Sequence, residues 1–128
     1  MPHFQIEYSE NLQRRMDMPA FCKTIHEAIF ATGLFELGAI RVRAFSADHY
    51  AITDMNPANA FIDMSFRVGE GRSQDQLRAA GEAIFKAASD NLGQLLDTPR
   101  FALSLEIREI DTALSWKKNA MHARLRQG

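Results

Sequence analysis

An α/β (α+β) fold, with two βαβ units forming one four-stranded sheet and two helices on one face, is predicted by three features of this 128-residue chain. Four segments alternate apolar and polar residues with the period of a half-buried strand. Two longer stretches carry apolar residues at helical spacing, and each lies between two of those segments. Glu27-Ala28-Ile29-Phe30 recurs as Glu82-Ala83-Ile84-Phe85 at matching depth in the two predicted helices, the trace of an internal duplication.

The first unit spans about residues 2–46. Pro2, Phe4, Ile6 and Tyr8 share one side of a strand; His3, Gln5 and Glu7 share the other. Asp17 is placed to cap a helix, with Pro19 in the first turn, where a missing N–H costs nothing. Met18, Cys22, Ile25, Ile29 and Thr32 form its apolar stripe, and Gly33 is its stop. Ile40, Val42 and Ala44 then alternate with Arg41, Arg43 and Phe45, which puts two guanidinium groups on one strand face.

Residues 46–59, rich in Ser, Asp, Asn and Pro, read as a linker. The second unit, about 60–110, opens with Ile62, Met64, Phe66 and Val68 alternating with Phe61, Asp63, Ser65 and Arg67. Gly69-Glu70-Gly71-Arg72 is a turn, and Ser73 with Gln76 has the spacing of a capping box. Leu77, Ala80, Ile84, Ala88 and Leu95 mark a long helix expected to end near Asp97-Thr98-Pro99. Phe101, Leu103, Leu105 and Ile107 make the last strand. The tail, 111–128, carries Leu114, Trp116, Met121, His122 and Leu125 before basic residues. It reads equally as a helix docked on its own chain or as an arm reaching a neighbouring subunit. The sheet face opposite the helices mixes Phe and Arg with other residues, too apolar to be left fully wet, so an oligomer is expected.

Length fits one domain over 1–128. A net charge of −1 argues against a nucleic-acid or anionic-membrane surface, so any anion site must come from a local arrangement of Arg. The single cysteine, Cys22, excludes an intrachain disulfide and reads as a small core residue. No apolar run reaches membrane-span length and no signal-peptide core is visible, so a cytoplasmic protein is expected. His3, His26, His49 and His122 show no metal-ligand spacing, and no metal site is expected.

Met1-Pro2 holds the main chemical signal. An initiator Met before Pro is commonly removed, which would free the Pro2 ring nitrogen as a secondary amine. An α-amino group titrates at about 7.7–8.0, close enough to neutrality for a positioned general base. Arg41, Arg43 and Arg72 would hold a carboxylated ligand, and their charge would keep such an amine unprotonated. Each has a plainer reading: Arg41 and Arg43 pair with Glu7, Asp63 or Glu106, and the Gly-x-Gly segment is simply a turn. With Met1 retained, the Pro2 nitrogen is an amide without useful basicity.

The start Pro2-His3-Phe4, with Glu7-Tyr8-Ser9-Glu10-Asn11-Leu12, resembles the 5-carboxymethyl-2-hydroxymuconate delta-isomerase family of the tautomerase superfamily. So do Ala31-Thr32-Gly33-Leu34-Phe35, Gly38-Ala39-Ile40-Arg41-Val42-Arg43, Gly69-Glu70-Gly71-Arg72-Ser73, Leu103-Ser104-Leu105-Glu106-Ile107 and Leu114-Ser115-Trp116-Lys117-Lys118-Asn119. The resemblance implies a homotrimer of two βαβ units, with sites near subunit boundaries and no cofactor. It also implies an isomerase of homoprotocatechuate degradation, in which Pro2 is the acid–base group and Arg41, Arg43 and Arg72 hold carboxylates. Two other readings fit the same residues. One is a tautomerase of another keto acid such as phenylpyruvate; the other is a non-catalytic trimer binding a carboxylate or a protein.

Overall fold

The computed structural model describes residues 2–127. Its sheet has four strands: β1 (His3–Ser9), β2 (Arg41–Ala47), β3 (Ala60–Gly69) and β4 (Phe101–Ile110), in the spatial order β2-β1-β3-β4. β1 and β2 run parallel, β3 and β4 run parallel, and the two pairs meet antiparallel at β1 and β3. Helices α1 (Met18–Ala31) and α2 (Gln74–Leu92) make the two crossovers, pack against each other and cover one sheet face. This is the predicted α+β arrangement of two βαβ units.

The core follows from the alternation. Phe4, Ile6, Ile62, Met64, Phe66 and Val68 point from the two central strands toward the helices and are fully buried. Phe21, Ile25 and Ile29 of α1 and Ile84 and Ala88 of α2 meet them. Fully burying one such large side chain stabilises the fold by about 1.5–3 kcal/mol. The edge strands contribute half-buried residues, Val42 and Ala44 on β2 and Leu103, Leu105 and Ile107 on β4. Cys22 is only half-buried, and its neighbour Phe21 takes the core position. Burial pushes the Cys22 thiol pKa up, so it stays protonated and inert.

The predicted caps are present. The Ala20 amide donates to Asp17 Oδ1 at 3.0 Å, and the Ser73–Gln76 capping box is closed in both directions. Gly33 turns the chain after α1 with φ +73°. α2 differs from expectation: it stops at Leu92, because Gly93 (φ +48°) breaks the backbone, and a 3₁₀ turn over Gly93–Asp97 follows. Leu95 therefore packs at the core margin from that turn and not from the helix.

Two devices close the ends of the sheet. At one end, the fully buried Ser9 donates to Asn11 Oδ1 at 2.7 Å and accepts the Phe61 amide at 3.0 Å. The Asn59 side chain there donates to Asp54, Thr53 and Ile52 and fixes the linker. At the other end, helix α3 (Ala120–Gln127) docks on its own chain. The Asn119 side chain donates to Gly38 O at 2.8 Å, and Arg126 forks both carboxylate oxygens of Glu36. Among the described residues no helix is long and apolar enough to cross a membrane.

Candidate active site

Pro2 is buried where β1 begins, and its carbonyl accepts the Arg41 amide at 3.2 Å, one step before the β1–β2 ladder. Chain connectivity and sheet pairing therefore fix this residue. It lines a cavity of about 270 Å³ together with Leu34, Phe35, Glu36, Ala39, Arg72, Lys117 and His122. The bond joining Met1 to Pro2 lies outside the described residues.

Arg72 shares this cavity with Pro2. Its Nε and Nη2 both donate to Leu34 O, at 3.3 and 2.9 Å, and its Nη1 donates to Gly69 O at 3.2 Å. The guanidinium carbon sits 4.2 Å from the centre of the Phe35 ring. Phe35 packs edge-on against Phe66, which in turn meets Phe4, each pair 5.4 Å apart. The core thus reaches the cavity through three aromatic rings and holds Arg72 in place. Arg72 bridges the loop after α1 to the turn before α2, a function its position in the sequence does not reveal.

Arg41 and Arg43 lie on the sheet face away from the helices, as the alternation predicts, and neither pairs with Glu7, Asp63 or Glu106. Arg41 Nη1 donates to Gly38 O and Ile40 O, at 2.9 and 3.1 Å, and Arg43 Nη1 stands 3.1 Å from His3 Nδ1. Both arginines line a second concavity with Cys22, Lys23 and His26, separate within one chain from the Pro2 cavity. Cross-strand register nevertheless assembles a row of three arginines around His3 at the Pro2 end of the sheet: Arg41, His3, Arg67 and Arg108 from β2, β1, β3 and β4 in turn. Partial burial and then the nearby charges of Arg43, Arg67 and Arg41 lower the His3 pKa, so His3 is neutral near pH 7.

Three cavity residues carry no signal in residue spacing. Glu36 precedes the 3₁₀ turn Leu37–Ala39, while Lys117 and His122 belong to the tail. The Arg126 fork holds the Glu36 carboxyl below its usual range. His122 Nδ1 is buried without a hydrogen bond. It lies 3.4 Å from Glu36 Oε2 without hydrogen-bond geometry. Gly38 makes this packing possible: a Cβ there would lie 3.0 Å from His122 Nδ1 and 3.2 Å from its backbone. A larger concavity of about 760 Å³ between α2 and β4 is lined mainly by apolar residues such as Leu77, Phe85 and Leu105 and lies away from Pro2.

A buried proline at a strand start and an arginine locked by the core thus line one cavity of a tautomerase-like fold. A sequence profile of the 5-carboxymethyl-2-hydroxymuconate isomerase family matches residues 2–125, and the chain belongs to that family. It is 33% identical over 123 residues to 5-carboxymethyl-2-hydroxymuconate Delta-isomerase of Escherichia coli, covering 96% of this chain and 98% of the relative. The crystal structure of a 5-carboxymethyl-2-hydroxymuconate isomerase from Deinococcus radiodurans R1 superposes with a TM-score of 0.90 at 33% identity, covering 98% of this chain and 94% of that one. The W0 fused 4-OT wild-type symmetric trimer shares the fold alone, with a TM-score of 0.65 at 16% identity over 91% of this chain and 93% of that one. The protein is an isomerase.

Proposed function

We propose that this isomerase moves a proton within an unsaturated 2-hydroxy polycarboxylate, converting 5-carboxymethyl-2-hydroxymuconate to its 2-oxo-enoate isomer in homoprotocatechuate degradation. The observation that carries this reading is the shared cavity of Pro2 and Arg72 at the cationic end of the sheet. With Pro2 at the terminus, its ring nitrogen takes the proton of the 2-hydroxyl group. The electron pair moves through the diene to a distant carbon, which receives the same proton from the prolinium. No atom is gained or lost, so the step consumes no co-reactant. General acid–base transfer of this kind contributes about 10²–10⁴-fold.

Positive charge does two things here. It disfavours a protonated Pro2, leaving the base free, and it holds substrate carboxylates while charge builds on the enolate oxygen. Arg72 supplies that charge inside the cavity, and Arg41 and Arg43 supply it from the adjoining sheet face. A homotrimer working in the cytoplasm fits the open sheet face and its two unpaired edge strands. The fold shared with a protein named as a symmetric trimer supports that assembly.

The test is a side-by-side assay of the purified wild-type enzyme on 5-carboxymethyl-2-hydroxymuconate and on phenylpyruvate enol. The muconate should show the higher kcat/KM. A preference for the arylpyruvate would assign the chain to the tautomerases of simple keto acids.

A further inference from the structure

We propose that Lys117 is the specificity-determining cation of the Pro2 cavity, delivered by the C-terminal tail to bind a substrate carboxylate remote from the reacting enol. The inference rests on the isomerase reading above and adds a residue and a role for the tail. Of the four ionisable side chains lining the cavity, three are held by contacts within the protein, Arg72 keeping two of its five N–H donors for a ligand. Arg72 donates through Nε, Nη1 and Nη2 to backbone carbonyls and stacks on Phe35. Glu36 has both oxygens taken by Arg126. His122 is wedged against Gly38 with its Nδ1 buried. Among the described residues Lys117 makes no hydrogen bond or ion pair, although it lines the same cavity.

Lys117 is exposed, and what marks it is its place in the lining of the Pro2 cavity. The tail's own anchors hold it there. Asn119 donates to Gly38 O at 2.8 Å and accepts the Met121 amide at 3.0 Å, which fixes the chain two residues beyond Lys117. Arg126, near the end of α3, takes both oxygens of Glu36, so that carboxylate is already paired. The three donors of Lys117 are left for a ligand. Lysine is a compact point charge on a long stem, suited to a carboxylate whose distance from the enol differs from that of the one nearer Arg72. A substrate with a single carboxylate near its enol has nothing to offer it.

The deciding experiment measures ligand binding and turnover in the same proteins: wild type, Lys117→Met and Lys117→Arg. Calorimetric binding of propane-1,2,3-tricarboxylate should weaken about five- to tenfold in Lys117→Met and recover in Lys117→Arg, the scale of one exposed charge-assisted hydrogen bond. KM for the muconate should rise by a similar factor with kcat within about twofold, while phenylpyruvate tautomerisation stays within about twofold. Unchanged tricarboxylate binding in Lys117→Met, no tricarboxylate binding to wild type, or equal losses on both substrates would overturn the assignment. If the tricarboxylate effect appears in an enzyme that leaves the muconate unturned, the substrate reading fails while the Lys117 site stands.

Discussion

The amide of Arg41 donates to the carbonyl of Pro2 at 3.2 Å, so the second residue of the chain is tied to the sheet. This bond holds Pro2 in the lining of the cavity and sets Arg41 level with His3. A residue anchored in this way loses little further freedom when a ligand binds.

Arg72 is both a structural bridge and a cavity cation. Arg72→Met leaves Leu34 O and Gly69 O without their donor and removes the stacking on Phe35. It should cost about 1–3 kcal/mol of stability as well as weakening polycarboxylate binding. Arg72→Lys should not restore stability, because an ammonium cannot fork to two carbonyls and lie flat on a ring. Urea denaturation with unchanged m-values checks this; full stability in Arg72→Met would reduce the bridge to an incidental contact.

His3 should titrate below its ordinary value of 6.5. A lowered folded pKa means that the unfolded chain binds the proton more readily. The His3 contribution to stability is therefore present above about pH 6.5 and is lost as pH falls through the folded value. Burial is the first cause and Arg43 the second, so Arg43→Met should move the midpoint back toward 6.5 without fully restoring it. NMR titration of the His3 ring reads both. A wild-type midpoint at or above 6.5 would show that neither burial nor the neighbouring arginines lower the His3 pKa.

Gly38→Ala should release α3. The new Cβ meets His122 at 3.0–3.2 Å, and two of those contacts are to backbone, which cannot rotate away. Overpacking of this kind costs about 1–3 kcal/mol. Here it should appear as fast hydrogen exchange over residues 120–127, with the sheet core still protected. Slow exchange in α3 of the variant would mean that the tail tolerates the displacement.

The fold was largely legible in the residues. Alternation marks Ile62, Met64, Phe66 and Val68 as one buried row, and Asp17 and Ser73 mark the helix starts. The misreadings have local causes. Adjacent residues can both fit a helical stripe, so Cys22 stands in the pattern where Phe21 takes the core. Leu95 extends the spacing of α2 past a glycine whose backbone ends it. The site was legible only in part. Pro2 and Arg72, singled out from terminus and turn, share one cavity that Arg41 and Arg43 do not line; Glu36 reaches it from the loop after α1, and Lys117 and His122 reach it through docking of the tail. That docking depends on Gly38, Asn119 and Arg126, and no short-range pattern connects them.

The most direct measurement is the isomerase rate of Pro2→Ala, on a chain whose intact mass confirms removal of Met1. Alanine keeps a primary amine at the terminus while removing the ring and its secondary nitrogen. If Pro2 is the acid–base group, kcat should fall about 10²–10⁴-fold, with wild-type secondary structure and thermal stability retained. A kcat within about twofold of wild type in the folded variant would contradict Pro2 as the base and move the proton transfer to another residue.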